Sequence, residues 1–178
     1  TIDQRNAGNA VNNANGYVLD RWSLAKYDPT GGSYSGQQVT DAPAGFTNSF
    51  KVTVTSSITQ SADQYWQAFQ HIEGNNVFDL GFGTSLPSKV TVSFWVKSSV
   101  NGTYSTSLFN AGVGGVSRSY ISTYTINSAN TWEYKTVTIT GDGTGGSGYW
   151  GTTNGVGIGV YFDLGCGTNQ EGTANTWI

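Results

Sequence analysis

Apolar and polar side chains alternate without a break from Val90 to Lys97. Val90, Val92, Phe94 and Val96 fall on one side, and Thr91, Ser93, Trp95 and Lys97 on the other. Successive side chains point to opposite faces of a β-strand, so this spacing predicts a strand with one buried face. Its β-branched and aromatic residues agree. Asn101-Gly102 then separates it from a second strand-like run, Thr103–Phe109. Because Asn and Gly both tolerate the positive φ of a type I′ turn, the pair predicts a hairpin. Trp95 is the odd member of the polar side. It either covers a second apolar layer or offers its ring to a ligand.

The same alternation recurs along the chain. Tyr17–Leu24 reads as the first ordered strand, with Asp20 and Arg21 placed to pair beside Trp22. Gln37–Asp41 reads as a short edge strand, and Phe50–Thr55 as a strand with Phe50, Val52 and Val54 inward. Tyr65–Glu73 carries apolar and polar residues on both faces, which suits a strand covered on each side or one whose parity switches at a bulge. Asn75–Gly83 is expected as a loop pinned by aromatics. Ser119–Ile126, Trp132–Thr140 and Val156–Leu164 complete the set, and Gly141–Gly148 is too rich in glycine for anything but a loop. No stretch has helical periodicity. Roughly eight short strands with glycine-rich turns predict an all-β protein, an antiparallel β-sandwich of jelly-roll type. Residues 1–16 read as a lead-in segment and 17–178 as one domain. Its core is expected to gather Val90, Val92, Phe94 and Val96 with Val52, Val54, Ile158 and Val160.

Composition narrows the function. Charged residues make up 11% of the 178, and 25 glycines with abundant Ser, Thr and Asn fill the gap. Low charge with many aromatics is the opposite of a disordered chain. A net charge of −3 and the lack of any Lys/Arg cluster argue against a nucleic-acid partner. No apolar run approaches the roughly 20 residues of a membrane-spanning helix. The single cysteine, Cys166, cannot form an internal disulfide and has only His71 as a conceivable catalytic partner. A start at Thr1 reads as a fragment or a processed piece of something longer.

Catalytic chemistry has few candidates among eleven Asp and Glu and one His. His71 and Glu73 share a strand face and form a possible general base, without an evident nucleophile. A glycosidase needs two carboxylates across a cleft, for which Glu73 and Asp79 could be proposed, although nothing in the sequence fixes their separation. Asp142 and Asp163 lack the dense acidic spacing of a calcium loop. The glycine-rich 141–148 stretch has no following Lys or helix, so it is not a phosphate cradle. These residues therefore point away from an enzyme. Glycan recognition needs aromatic plates together with amide and hydroxyl groups, and six Trp and ten Tyr stand beside abundant Asn and Gln. Trp66, Trp95 and Tyr161 lie off the clearest core positions. Gly157 and Gly159 clear the strand face that carries Tyr161 and suggest a shallow floor. If Val90–Lys97 shares that sheet, Trp95 and Lys97 flank the floor and Gln70 supplies an amide. Trp95 filling the space left by the glycines is the competing account.

Taken in series, YVLDRW (Tyr17–Trp22), AFQHIEGNNVFDLGFG (Ala68–Gly83), KVTVSFWVKS (Lys89–Ser98) and TWEYKTVTIT (Thr131–Thr140) with GVGIGVYFDLG (Gly155–Gly165) resemble a known group. It is the carbohydrate-binding-module-like, or galactose-binding-like, jelly-roll domains of phage tail fibres and related virion proteins. The resemblance implies a non-enzymatic module on the virion surface that binds host-cell glycans. A structural, decoration or oligomerisation module and, more distantly, a glycoside hydrolase are the alternatives. It further implies other virion subunits as partners, a homo-oligomer with a trimer favoured, and Gln70, Trp95, Lys97 and Tyr161 as concave-face glycan ligands. No cofactor is expected, although the resemblance implies a possible structural calcium at the terminal strands. Domains of that pattern end in a closing strand that Thr176-Trp177-Ile178 does not match, so the expectation is either a truncated sequence or a closing strand supplied by a neighbour.

Overall fold

The structure, a computed structural model, describes every residue except Gly145, and only the backbone of Ser147. The protein is all-β, built of antiparallel sheets in a β-sandwich architecture. Among the described residues its strands are β1 (Val11–Asn12), β2 (Gly16–Tyr17), β3 (Ser23–Tyr27), β4 (Ser33–Val39), β5 (Ser49–Ser56), β6 (Tyr65–Glu73), β7 (Val90–Val96), β8 (Gly102–Phe109), β9 (Ser119–Ile126), β10 (Glu133–Ile139) and β11 (Val156–Cys166). Helical structure among the described residues is confined to three-residue 3₁₀ turns, and no helix is long and apolar enough to cross a membrane. The fold falls into two compact units, Thr1–Gln70 with Asp163–Glu171, and His71–Phe162 with Gly172–Ile178.

In the first unit, β1, β4 and β5 form one sheet, while β2 and β3 continue onto β6. Tyr34 of β4 meets Trp66 of β6 edge to face, 5.4 Å between ring centroids. Val18, Leu19, Leu24 and Ala68 complete the buried core around them. The lead-in residues are stitched into this unit. Val11 pairs with Gly36, and the Asn6 side-chain amide donates to the Val18 carbonyl. Two expectations need correcting here. Tyr17–Leu24 is not one strand, because the chain reverses between β2 and β3, closed by Val18 N–H and Leu19 N–H donating to the Trp22 carbonyl. The Gln37–Asp41 strand is neither short nor an edge, since β4 spans seven residues and lies between β1 and β5.

In the second unit, β7 and β10 form a two-stranded sheet that packs on the sheet ordered β11-β8-β9. Phe94 of β7 sits between Tyr124 of β9 and Phe162 of β11, at 5.0 and 4.9 Å and nearly perpendicular to both rings. The core continues through Phe82, Leu108, Tyr120, Ile139, Trp150 and Ile158. The hairpin expected at Asn101-Gly102 does not form. Strand β7 pairs with β10, and β8 pairs with β9 and β11, so the chain changes sheets at this point. Asn101 is not among the residues with positive φ, and Gly102, at φ 148°, already pairs with Ile126. A type I′ turn needs positive φ at both residues.

The expected single row of core valines divides between the two units. Val52 packs on the first core and Val90, Val92 and Val160 on the second. Val54 is 50% exposed. The register between β4 and β5 shifts directly after it, with Tyr34 opposite Val54 but Ser33 opposite Ser56. An extra residue of this kind bends and twists a strand, and the inward row of β5 ends there.

The glycine-rich stretch from Gly141 is anchored by Asp142, which is fully buried. Its carboxylate accepts hydrogen bonds from Arg118 Nε and Nη2 at 3.0 and 2.9 Å. It also accepts from the Thr144 N–H and hydroxyl and from Trp150 Nε1. Asn110, also fully buried, ties the β8–β9 loop to the same region by donating to the carbonyls of Val116 and Tyr149.

Candidate functional site

The outward face of the β7–β10 sheet is the most ligand-like surface. The alternation along Val90–Val96 turns Phe94 inward, where it is half-buried, and leaves Trp95 41% exposed. The register sets Tyr134, 54% exposed, directly opposite Trp95, with ring centroids 5.4 Å apart. Beside them, Lys97 Nζ lies 5.4 Å from the centre of the Trp132 ring. Along the same face, Ser93 is opposite Thr136 and Thr91 opposite Thr138, whose hydroxyls are 3.0 Å apart. A pair of exposed rings beside rows of hydroxyls offers a stacking plate for the apolar face of a sugar and donors and acceptors for its OH groups.

The inward face of β10 changes character at its first residues. Glu133 and Lys135 form an ion pair at 2.6 Å. Glu133 also accepts the N–H groups of Asn127 and Ser128 and the Asn127 side-chain amide. The Lys135 ammonium, followed by these donors, brings the Glu133 carboxyl down to about 2. The cluster fixes the β9–β10 connection and so the start of the strand that carries Tyr134.

The floor expected around Gly157 and Gly159 is filled by the protein itself. A Cβ on Gly157 would lie 2.5 Å from Val77 Cγ2 and 2.6 Å from Gly74 Cα. On Gly159 it would lie 2.4 Å from the Tyr161 ring and 3.1 Å from His71 Cδ2. The glycines therefore admit a close backbone and two rings. Tyr161 Oη is 2.9 Å from His71 Nε2, and the Tyr161 ring meets Phe109 edge to face at 5.6 Å. Burial pushes the His71 pKa down, which favours the neutral imidazole. We expect Gly157→Ala to destabilise the fold by about 1–3 kcal/mol, the usual range for overpacking. A urea melt reads this directly, and an unchanged midpoint would mean that Gly74 and Val77 yield freely.

Of the four residues singled out from the sequence, Trp95 and Lys97 come together at the end of β7. Tyr161 lies on β11, in the other sheet of the same unit, and Gln70 lies on β6 in the first unit. The single surface that was to join all four required β7 and β11 in one sheet, and they are not. Sequence reasoning missed Tyr134 and Trp132 as neighbours of Trp95. The signal was present in the matching alternation of Trp132–Thr140, but the false hairpin hid the pairing.

His71 meets the Tyr161 hydroxyl, and Glu73 accepts a hydrogen bond from the Asn76 side chain. Cys166 is half-buried, and burial raises its thiol pKa. Among the described residues, no three His, Cys, Asp or Glu side chains gather. The shell of several carboxylates that calcium commonly takes is not assembled there.

The fold and this surface define a class, an antiparallel β-sandwich with an exposed aromatic and hydroxyl-bearing sheet face. No family model, no curated protein and no solved structure matches the chain.

Proposed function

We propose that this chain is a non-enzymatic glycan-binding module of a phage tail fibre or similar virion appendage, acting in attachment to host-cell glycans. The observation that carries the glycan reading is the exposed Trp95–Tyr134 pair on a face otherwise lined with hydroxyls. Rings turned outward from a sheet whose other face is already packed are not needed to fill the core. The virion setting rests on the resemblance of the strand motifs. It brings with it a location on the particle surface, neighbouring virion subunits and a homo-oligomer, with a trimer favoured. Trp95 and Tyr134 supply the stacking plate, Lys97 and Trp132 one border, and the Ser93, Thr91, Thr136 and Thr138 hydroxyls the other. Tyr161 is engaged by His71 and Phe109, and Gln70 belongs to the first unit, so neither is assigned to this plate.

A glycan array probed with the intact chain, Trp95→Ala and Tyr134→Ala tests the reading. The expected result is selective glycan binding by the intact chain that both substitutions abolish. The melting temperature should hardly change, because an exposed cross-strand pair contributes only about 0.2–1 kcal/mol. Binding that survives both substitutions removes the plate as the site. No glycan bound by the intact chain leaves the structural or decoration role, and turnover of a bound glycan would make the chain a hydrolase.

A further inference from the structure

The last residues of the chain do something that no strand pattern announced. Trp177 bridges to Tyr120, and Ser119 and Ile178 exchange both backbone hydrogen bonds at 3.0 Å. Asn175 N–H donates to the Ile121 carbonyl at 2.8 Å. The segment thus occupies the outer edge of β9, the end strand of its sheet. The Trp177 indole enters a slot made by Phe82, Tyr120 and Trp150, at 5.7, 5.4 and 5.4 Å, all near edge-to-face. Its Nε1–H donates to the Thr140 carbonyl at 2.8 Å. Backbone pairing to a sheet edge, with one aromatic side chain in a shaped pocket, is the build of a β-strand recognition site.

The stretch that leads to this segment buries no side chain and is tied down at its start, where Asn169 donates through its N–H to the Ala62 carbonyl and through its side-chain amide to Asp63. Thr168–Thr176 are all exposed, so between the end of β11 and Trp177 no side chain is buried. Segments with few buried contacts open at low cost while the rest of a fold stays intact. Each copy of the chain carries both the slot and the segment that fits it.

We propose that Gly172–Ile178 is an exchangeable strap, and that the β9 edge with its indole slot accepts the same strap from a second copy. The contacts are identical in either arrangement, so they cancel in the balance between them, as in domain swapping generally. What decides the balance is the effective concentration of the tethered strap, on the order of millimolar for a short flexible connection. Copies held side by side in an assembly meet that condition. The inference does not depend on the glycan reading, because no residue of the strap or slot belongs to the plate.

The test uses the full chain carrying Cys166→Ser, Ser119→Cys and Ile178→Cys. A reciprocally hydrogen-bonded antiparallel pair sets its Cα atoms about 5.5 Å apart, within disulfide range. The reduced protein is incubated at about 1 mM, a concentration chosen to match the tethered strap, then oxidised and run on denaturing gels without reductant. Exchange predicts dimers in solution that remain covalently linked after denaturation and fade when the protein is diluted about a hundredfold before oxidation. Adding Trp177→Ala should speed their appearance about tenfold or more, since it removes the ring contacts that must break for opening. Absence of any dimer at 1 mM, or dimers that separate into internally bridged single chains, would overturn the proposal.

Discussion

Asp142→Ala should destabilise the fold by about 3–5 kcal/mol, the range found when one partner of a buried ion pair is removed. The carboxylate is fully buried and receives five hydrogen bonds from Arg118, Thr144 and Trp150. Removing it leaves the Arg118 guanidinium, only 16% exposed, without its counter-charge, and the Trp150 indole N–H without its acceptor. Asp142→Asn keeps the shape and one strong acceptor, so its cost should be smaller, about 1–3 kcal/mol. Urea unfolding compares the two, read as a shift in midpoint at constant slope. A loss under about 1 kcal/mol for the alanine variant, outside the range for a broken buried pair, would mean that the glycine-rich loop is not anchored through this residue.

The same group sets an acid limit. Burial by itself would raise the Asp142 pKa, but the hydrogen bonds from Arg118 and Thr144 outweigh it and hold the carboxyl at about 2, against an ordinary 3.8. Glu133 is likewise held at about 2, against 4.5. A carboxyl whose pKa is depressed by folding contributes stability that is complete above its unfolded value and is lost as pH falls through its folded value. Stability should therefore drop as pH falls from 4.5 towards 2, and the drop should be shallower in Asp142→Ala, which has only the Glu133 carboxyl of the two left to protonate.

Local alternation was the most legible feature of the sequence. Val90–Val96 shows its inward and outward sides directly, because a period of two has only one reading when one face is apolar. The limits of β6, β9 and β11 were nearly legible for the same reason. Pairing was not. Asn101-Gly102 has the chemistry of a tight turn, but the chain can use a glycine equally well to leave one sheet for another, and nothing local separates the two uses. Tyr17–Leu24 looks continuous because Val18 and Leu19 are apolar, yet they are buried in a turn. The Asp142 anchor was hidden because its partner Arg118 lies 24 residues away in the chain. Trp177 was hidden because one aromatic in a polar run has no period at all. For the plate, Trp95 was visible as an aromatic on a polar face, whereas Tyr134 and Trp132 became its neighbours only through the β7–β10 register.

Phe94→Ala and Trp95→Ala, one residue apart, should differ severalfold in cost. The Phe94 ring fills the space between the two sheets of the second unit, against Tyr124 and Phe162, and Tyr124 in turn stacks on Tyr104. Emptying that position removes the ring and leaves a cavity that two sheets joined along their lengths close only in part, so about 3–5 kcal/mol is expected. Trp95 touches mainly Tyr134 on a solvent-facing surface, and its removal should cost under about 1 kcal/mol. Thermal melts of dilute samples give the comparison, with Phe94→Ala lowering the midpoint by roughly 10 °C for a chain of this size. Equal losses at the two positions would mean that the Trp95 face is covered in solution. The rings would then belong to a subunit contact, and the plate would not be open to a glycan.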